Sequence, residues 1–167
     1  MTLVVETGSG DNSAANTYAT VAELRAHSLL RGDSLDSSSD STLESLLIQA
    51  MDYLESLYNK FKGYPTAETQ PLQWPRADVW DIFYPGASTA SDEIPTELKR
   101  SQMSLALDAQ NGGLMDTVRA GDRGAVLSES IDGISVSYAD AKSGSSYMKA
   151  NADLNKLCAP GLAAVRI

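Results

Sequence analysis

The pattern of apolar and polar positions is strongest between Thr42 and Phe61, TLESLLIQAMDYLESLYNKF. Leu43, Leu46, Leu47, Ala50, Leu54, Leu57, Tyr58 and Phe61 recur at helical spacing, while Asp52, Glu55, Ser56 and Asn59 fall mostly off that stripe. Ser41 with Glu44 reads as a capping box at the start. Lys60 and Lys62 suit the negative end of a helix dipole, Gly63 can take a left-handed cap, and Pro65 blocks continuation. An apolar stripe this wide requires other elements packed on it.

The same reading along the rest of the chain predicts the partners. Leu3 to Val5 is a short β-like stretch, and residues 1–16 read as a flexible N-terminal arm because TGSGDNSAAN carries no apolar period. Thr20 and Glu23 form a second capping box, followed by Leu24, Leu29 and Leu30 and stopped by Gly32. Residues 33–41 are a polar linker. Residues 63–94 form an aromatic and proline-rich loop, broken by Pro65, Pro71, Pro75 and Pro85 and carrying Tyr64, Trp74, Trp80, Phe83 and Tyr84. So many aromatics imply a loop that covers the core or meets a partner. Pro95 opens the next helix, with Leu98, Gln102, Leu105 and Ala109 on one line, Met103 and Leu107 on another, and Asn111-Gly112-Gly113 at its end.

Residues 125–139 carry the β signal. Asp132-Gly133 is a type I′ turn dipeptide, which pairs Ile131 with Ile134, Glu129 with Val136 and Leu127 with Tyr138 on one face, leaving four serines on the other. Tyr147, Ala150, Leu154, Leu157 and Cys158 suggest a last short helix, closed by Pro160-Gly161. The predicted fold class is mainly α: one domain over residues 1–167, a small helical bundle with one β-hairpin and extended arms and loops.

Composition narrows the function classes. The net charge is −9, from 22 acidic and 13 basic residues, which disfavours a surface made to grip nucleic acid but does not exclude a wall that DNA passes without sticking. One cysteine cannot form an internal disulfide, the N-terminus lacks the basic flank of a secretory signal, and no apolar run reaches the ~20 residues that span a bilayer. A cytosolic setting is the default expectation.

Candidate chemistry is sparse. His27, the single histidine, reads as structural, and Cys158 as a buried, inert thiol. Asp33, Asp36, Asp40 and Glu44 have the span of a calcium loop, but Leu35 occupies a ligand position and Ser38 the place of the turn glycine. Ser146 to Lys149 fits S-x-x-K, yet the neighbouring Lys142-Ser143-Gly144 lies too close and in the wrong order for a penicillin-recognising enzyme. There is no Walker loop and no dinucleotide fingerprint. A non-enzyme without metal or cofactor is expected. Trp74-Pro75-Arg76 has two readings: a core-sealing aromatic with an arginine on its rim, or an interface anchor. The candidate interface set is Trp74, Arg76, Trp80, Tyr84, Ile134 and Tyr138.

Five stretches, LVVETGSG…ANTYATVAEL, AMDYLESLYNKFKG, QPLQWPRADVWD, EIPTELKRSQMSLAL and SESIDGISVSYA, together resemble a family of small tailed-phage and prophage proteins regarded as head–tail connectors (adaptor or neck proteins), some of which carry a DnaT-like label. The resemblance spans most of the chain and is most specific at the Trp-Pro-Arg loop and the Glu-Ile-Pro helix start. It implies a virion protein at the head–tail junction, made in the host bacterial cytoplasm. Such proteins form a homo-oligomeric ring, typically a dodecamer, on the portal protein. They contact a tail-completion or stopper protein, and DNA passes through without specific binding or any membrane partner. Two alternatives compete: a single-stranded DNA-binding replication accessory, which needs basic residues and aromatic platforms, and a small hydrolase using Ser146 or Cys158, for which no general base is placed.

Overall fold

The computed structural model describes residues 2–80, 86–110, 114, 128–131, 134–137 and 148–159. The chain divides into two compact units, one from residues 1–114 and 147–167 and one from residues 115–146. The described elements run α1 (Val21–Leu29), α2 (Asp40–Ser56), β1 (Tyr64–Pro65), β2 (Arg76–Ala77), α3 (Thr96–Ala109), β3 (Ser128–Ile131), β4 (Ile134–Ser137) and α4 (Met148–Leu157). The protein is mainly α with a small antiparallel hairpin, as the periodicity predicts. Among the described residues no helix is long and apolar enough to cross a membrane.

The α2 stripe is buried from Leu43 through Leu46, Leu47, Ala50 and Met51 to Leu54. Both of its ends differ from expectation. Ser39, not Ser41, is the N-cap and accepts from the Thr42 amide at 3.2 Å, so the expected Ser41 box gives way to a start two residues earlier. That start places Asp40 in the first turn, where its carboxylate suits the dipole and meets Arg25 at 2.7 Å. The helix ends at Ser56, and the chain then turns through Leu57 to Lys60. Tyr58, counted on the stripe, is therefore 62% exposed, whereas Phe61 stays buried through its bridge to Cys158. Lys62 serves a different helix from the one predicted. Its Nζ donates to the Lys156 carbonyl at 2.7 Å and its amide to the Leu157 carbonyl at 3.0 Å, at the C-terminal end of α4.

Helix α3 lies between α2 and α4, and α1 contacts both α2 and α3. Leu98, Gln102, Leu105 and Ala109 are buried as their spacing predicts, and so are Ser101, Met103, Ser104 and Ala106. Pro95 takes the N-cap place, one residue before the first helical position. Gln102 ties three segments together: its amide nitrogen donates to Thr17 Oγ1 at 2.8 Å and to the Leu47 carbonyl at 3.2 Å, and its oxygen accepts from the Tyr18 amide at 3.0 Å. A buried amide with its donors and acceptor engaged specifies the packing without a desolvation penalty. In α4, Ala150, Leu154 and Leu157 face inward as expected.

Two segments read as polar and mobile are held in place. The N-terminal arm bridges Val5 to Thr17, with Glu6 N donating to the Thr17 carbonyl at 2.8 Å and Asn16 N to the Val4 carbonyl at 2.8 Å. Glu6 is 1% exposed and accepts from the Gly8 amide at 2.8 Å. Residues 33–41 are fastened by Arg25, which donates to the carbonyls of Leu35 and Ser38, while Leu35 enters the core. Polar composition hides both segments because their order comes from backbone hydrogen bonds rather than apolar periodicity.

In the second unit, β3 pairs antiparallel with β4 in the predicted register, Ile131 opposite Ile134 and Glu129 opposite Val136. The turn pair Asp132-Gly133, and the expected pair Leu127–Tyr138, lie outside the described residues.

Candidate functional site

Residues 64–80 place two tryptophans in opposite settings. Trp74 is fully buried, with its ring edge-on to Phe61 at 6.0 Å between centroids. Its backbone amide donates to the Tyr18 hydroxyl at 3.1 Å, and that hydroxyl lies 3.4 Å from Glu55 Oε1. Glu55 Oε1 also accepts from the Gln73 amide at 3.1 Å. Burial pushes the Tyr18 phenol well above its ordinary range, helped by the Glu55 charge. Burial likewise raises the Glu55 carboxyl, against the hydrogen bonds from Gln73 and Tyr18. The Trp74–Pro75 peptide is cis.

Arg76 turns inward as well. It is 5% exposed, donates from Nε to the Lys62 carbonyl and from NH2 to the Gly63 carbonyl, each at 2.8 Å, and reaches the Gln73 carbonyl at 3.3 Å. Its guanidinium stands 5.9 Å from the Phe61 centroid. It clamps β1 to β2, where Tyr64 pairs with Ala77. Gly63 makes the close approach possible: its φ is +64°, and a Cβ would collide with the Ala77 carbonyl. Trp74 and Arg76, expected as interface candidates, thus take the core-sealing role and present no surface in this conformation. Tyr84 and Tyr138 lie outside the described residues, and Ile134 is placed only as a strand residue paired with Ile131.

What the loop does expose is a different group. Trp80 is 56% exposed and Tyr64 57%. Lys62 Nζ lies 3.5 Å from the Trp80 carbonyl and 2.7 Å from that of Lys156. Lys60 joins the same corner, its carbonyl accepting from the Ala159 amide at 2.8 Å. Exposed Tyr58 lies on the turn that leads into it. Lys60 and Lys62, whose charges both act on Cys158, therefore lie in the stretch that leads to exposed Tyr64 and against the backbone of exposed Trp80. Glu97 pairs with Lys156 at 3.3 Å. Cys158 is half-buried there; burial raises its thiol, with Lys60 and Lys62 pulling the other way. It is not paired with His27, whose ring nitrogen instead meets Ser104 Oγ at 3.3 Å. Among the described residues no group of histidine, cysteine or carboxylate side chains could hold a metal ion.

Over residues 1–167 the chain matches the family described as "Putative DnaT-like ssDNA binding protein". The chain belongs to that family. Among curated proteins and solved structures, none matches it. The DnaT-like part of the resemblance read from the sequence therefore stands.

Sequence reasoning named Trp80 but missed Tyr64 as its companion and the lysines as one group. Lys60, Lys62 and Lys156 meet only because α4 ends against the turn that follows α2. The one signal available was the interleaving of aromatic and basic residues in YNKFKGY, Tyr58 to Tyr64.

Proposed function

We propose that this protein binds single-stranded DNA, the activity in the family's description, through the Trp80–Tyr64 corner. The observation that carries the reading is an exposed Trp80 whose backbone carbonyl meets the Lys62 ammonium, with Lys60 acting on the same neighbour, Cys158. Stacking needs open aromatic faces and the phosphates need nearby cations, and this corner supplies both. The net charge of −9 makes the grip local rather than spread over the surface. With two lysines on phosphates, log K should fall against log salt with a slope of about −1.4. Fluorescence anisotropy with labelled oligo(dT) across a salt series tests this. Absence of binding at low salt, or equal affinity for Trp80→Ala, would sink it.

A second reading is a structural one: a ring-forming head–tail connector of the virion, docked on a portal and a stopper protein, with DNA passing through. The observation favouring it is a pair of leucines at the end of α1, Leu29 at 68% and Leu30 at 85% exposure, which a neighbouring subunit would cover. The acidic balance suits a conduit. Light scattering after size exclusion, with negative-stain imaging in the presence of portal rings, separates the two readings. Closed rings that ignore oligo(dT) favour the connector. Neither reading calls for catalysis.

A further inference from the structure

A second cationic place lies away from the aromatic corner. Helices α1 and α3 bound an open groove of about 560 Å³. It is lined by the apolar Ala26, Leu30 and Met103 together with Arg31, Lys99 and Arg100. Lys149 on α4 adds its charge at the buried His27. The only carboxylate lining the groove is Glu23, already engaged as the capping-box partner of Thr20 and lying 3.7 Å from Lys99. Arg31 donates to the His27 carbonyl at 2.9 Å, which leaves the rest of its guanidinium fork at the groove. Arg100 and Lys149 are both exposed. Three cations, Arg31, Lys99 and Arg100, line the groove against the one carboxylate of Glu23, and the Lys149–Asp108 pair stands at its edge, a local excess that a chain of net charge −9 does not produce by average.

We propose that this groove is a phosphate-binding site, in which Arg31, Lys99, Arg100 and Lys149 surround one phosphate group beside His27. Guanidinium pairs match phosphate oxygens in their fork geometry, and the ammonium groups complete the charge. The ligand is a phosphate-bearing anion, either a free phosphomonoester or a phosphodiester of the DNA backbone. His27 acts as the reporter of occupancy. Burial, then Arg31, Arg100 and Lys149, press its pKa down to about 4. Arg31 just beyond the end of α1, Arg100 on α3 and Lys149 on α4 act on it, Lys149 also drawing on Asp108, and Glu23 and Lys99 line the same groove. An anion placed among those cations offsets them and raises the histidine pKa.

The inference stands apart from the aromatic-corner reading, and one experiment separates their failures. His27 is the single histidine, so its ring protons give one resolved NMR titration. The full chain is titrated with inorganic phosphate, with dTMP and with oligo(dT), each against chloride at matched ionic strength. A saturable shift of the His27 signal, an upward move of its pKa, and about ten-fold weaker binding in Arg100→Gln and Lys149→Gln support the site. Both replaced groups are exposed, so folding is preserved, and circular dichroism of the variants checks that. A response to phosphate and dTMP identifies a free phosphomonoester; a response to oligo(dT) alone identifies the backbone. Equal shifts in chloride, or unchanged affinity in both variants, overturn the proposal. If oligo(dT) binds through Trp80 while His27 stays still, the groove fails and the corner survives. If phosphate moves His27 and oligo(dT) binds nowhere, the reverse holds. Binding of acidic peptides but of no phosphate compound also overturns it.

Discussion

Trp74 and Trp80 stand six positions apart in one loop, on either side of the same two-residue strand pair, and they do opposite work. Trp74 is closed in by Phe61, its amide tied to Tyr18. Trp80 keeps 56% of its surface open while its backbone is fixed by Lys62 and by a bridge to Ser88. The inner tryptophan, with Arg76, fastens the loop. The fastening then presents the outer tryptophan on a defined backbone. An exposed aromatic on a rigid support can act in recognition at low entropic cost, because little of its freedom remains to be lost.

The contrast predicts a graded set of outcomes. Trp74→Ala, which leaves a large cavity at the centre, should lose about 3–5 kcal/mol in urea unfolding. A loss below 1 kcal/mol would end the claim that it seals the core. Next comes His27, buried but among cations. Its folded pKa of about 4 lies below the ordinary 6.5, so the unfolded chain takes the proton first. Stability is therefore full above about pH 6.5 and falls as pH drops toward 4, by up to roughly 3 kcal/mol. Glu23, with its carboxyl held low by the Thr20 hydrogen bonds and Lys99 against the opposing effect of burial, adds to the loss at more acidic pH. His27→Gln should flatten the upper part of that slope, and an unchanged slope in a pH series of denaturation curves would assign it elsewhere.

Arg76→Lys keeps the charge but cannot reach the carbonyls of Lys62, Gly63 and Gln73 together. It should cost about 1–3 kcal/mol by the same urea measurement. Trp80→Ala should change stability least, within about 0.5 kcal/mol, as expected for an exposed position. Its oligo(dT) affinity should nonetheless drop by the equivalent of about 1–3 kcal/mol, the worth of one stacked base. If Trp80→Ala instead destabilises the fold and leaves binding intact, the two tryptophans are both structural and the comparison collapses.

Periodicity and capping chemistry were legible along the chain before any packing was known. They placed the α2 stripe from Leu43 to Leu54, the line from Leu98 to Ala109 on α3, the inward residues of α4, and the hairpin register through Ile131 and Ile134. Thr20 and Glu23 form their capping box as written, because both partners lie within one turn. These are local or repeating signals, and any fold that buries the apolar face must respect them.

The tertiary structure decided the rest. Whether Trp74 or Trp80 points inward has no periodic signature, since the loop between Pro65 and Pro75 has no repeat. Tyr58 left the stripe because the helix ended at Ser56, where packing against the end of α4 took over. Leu29 and Leu30 are exposed because α1 is short and turns at Gly32. The cations at positions 31, 100 and 149 are scattered in sequence and act together on His27 only through the packing of α1, α3 and α4. Helix faces are encoded by nearest neighbours along the chain. Sites are made by residues distant in sequence, whose meeting depends on the fold that buries everything else.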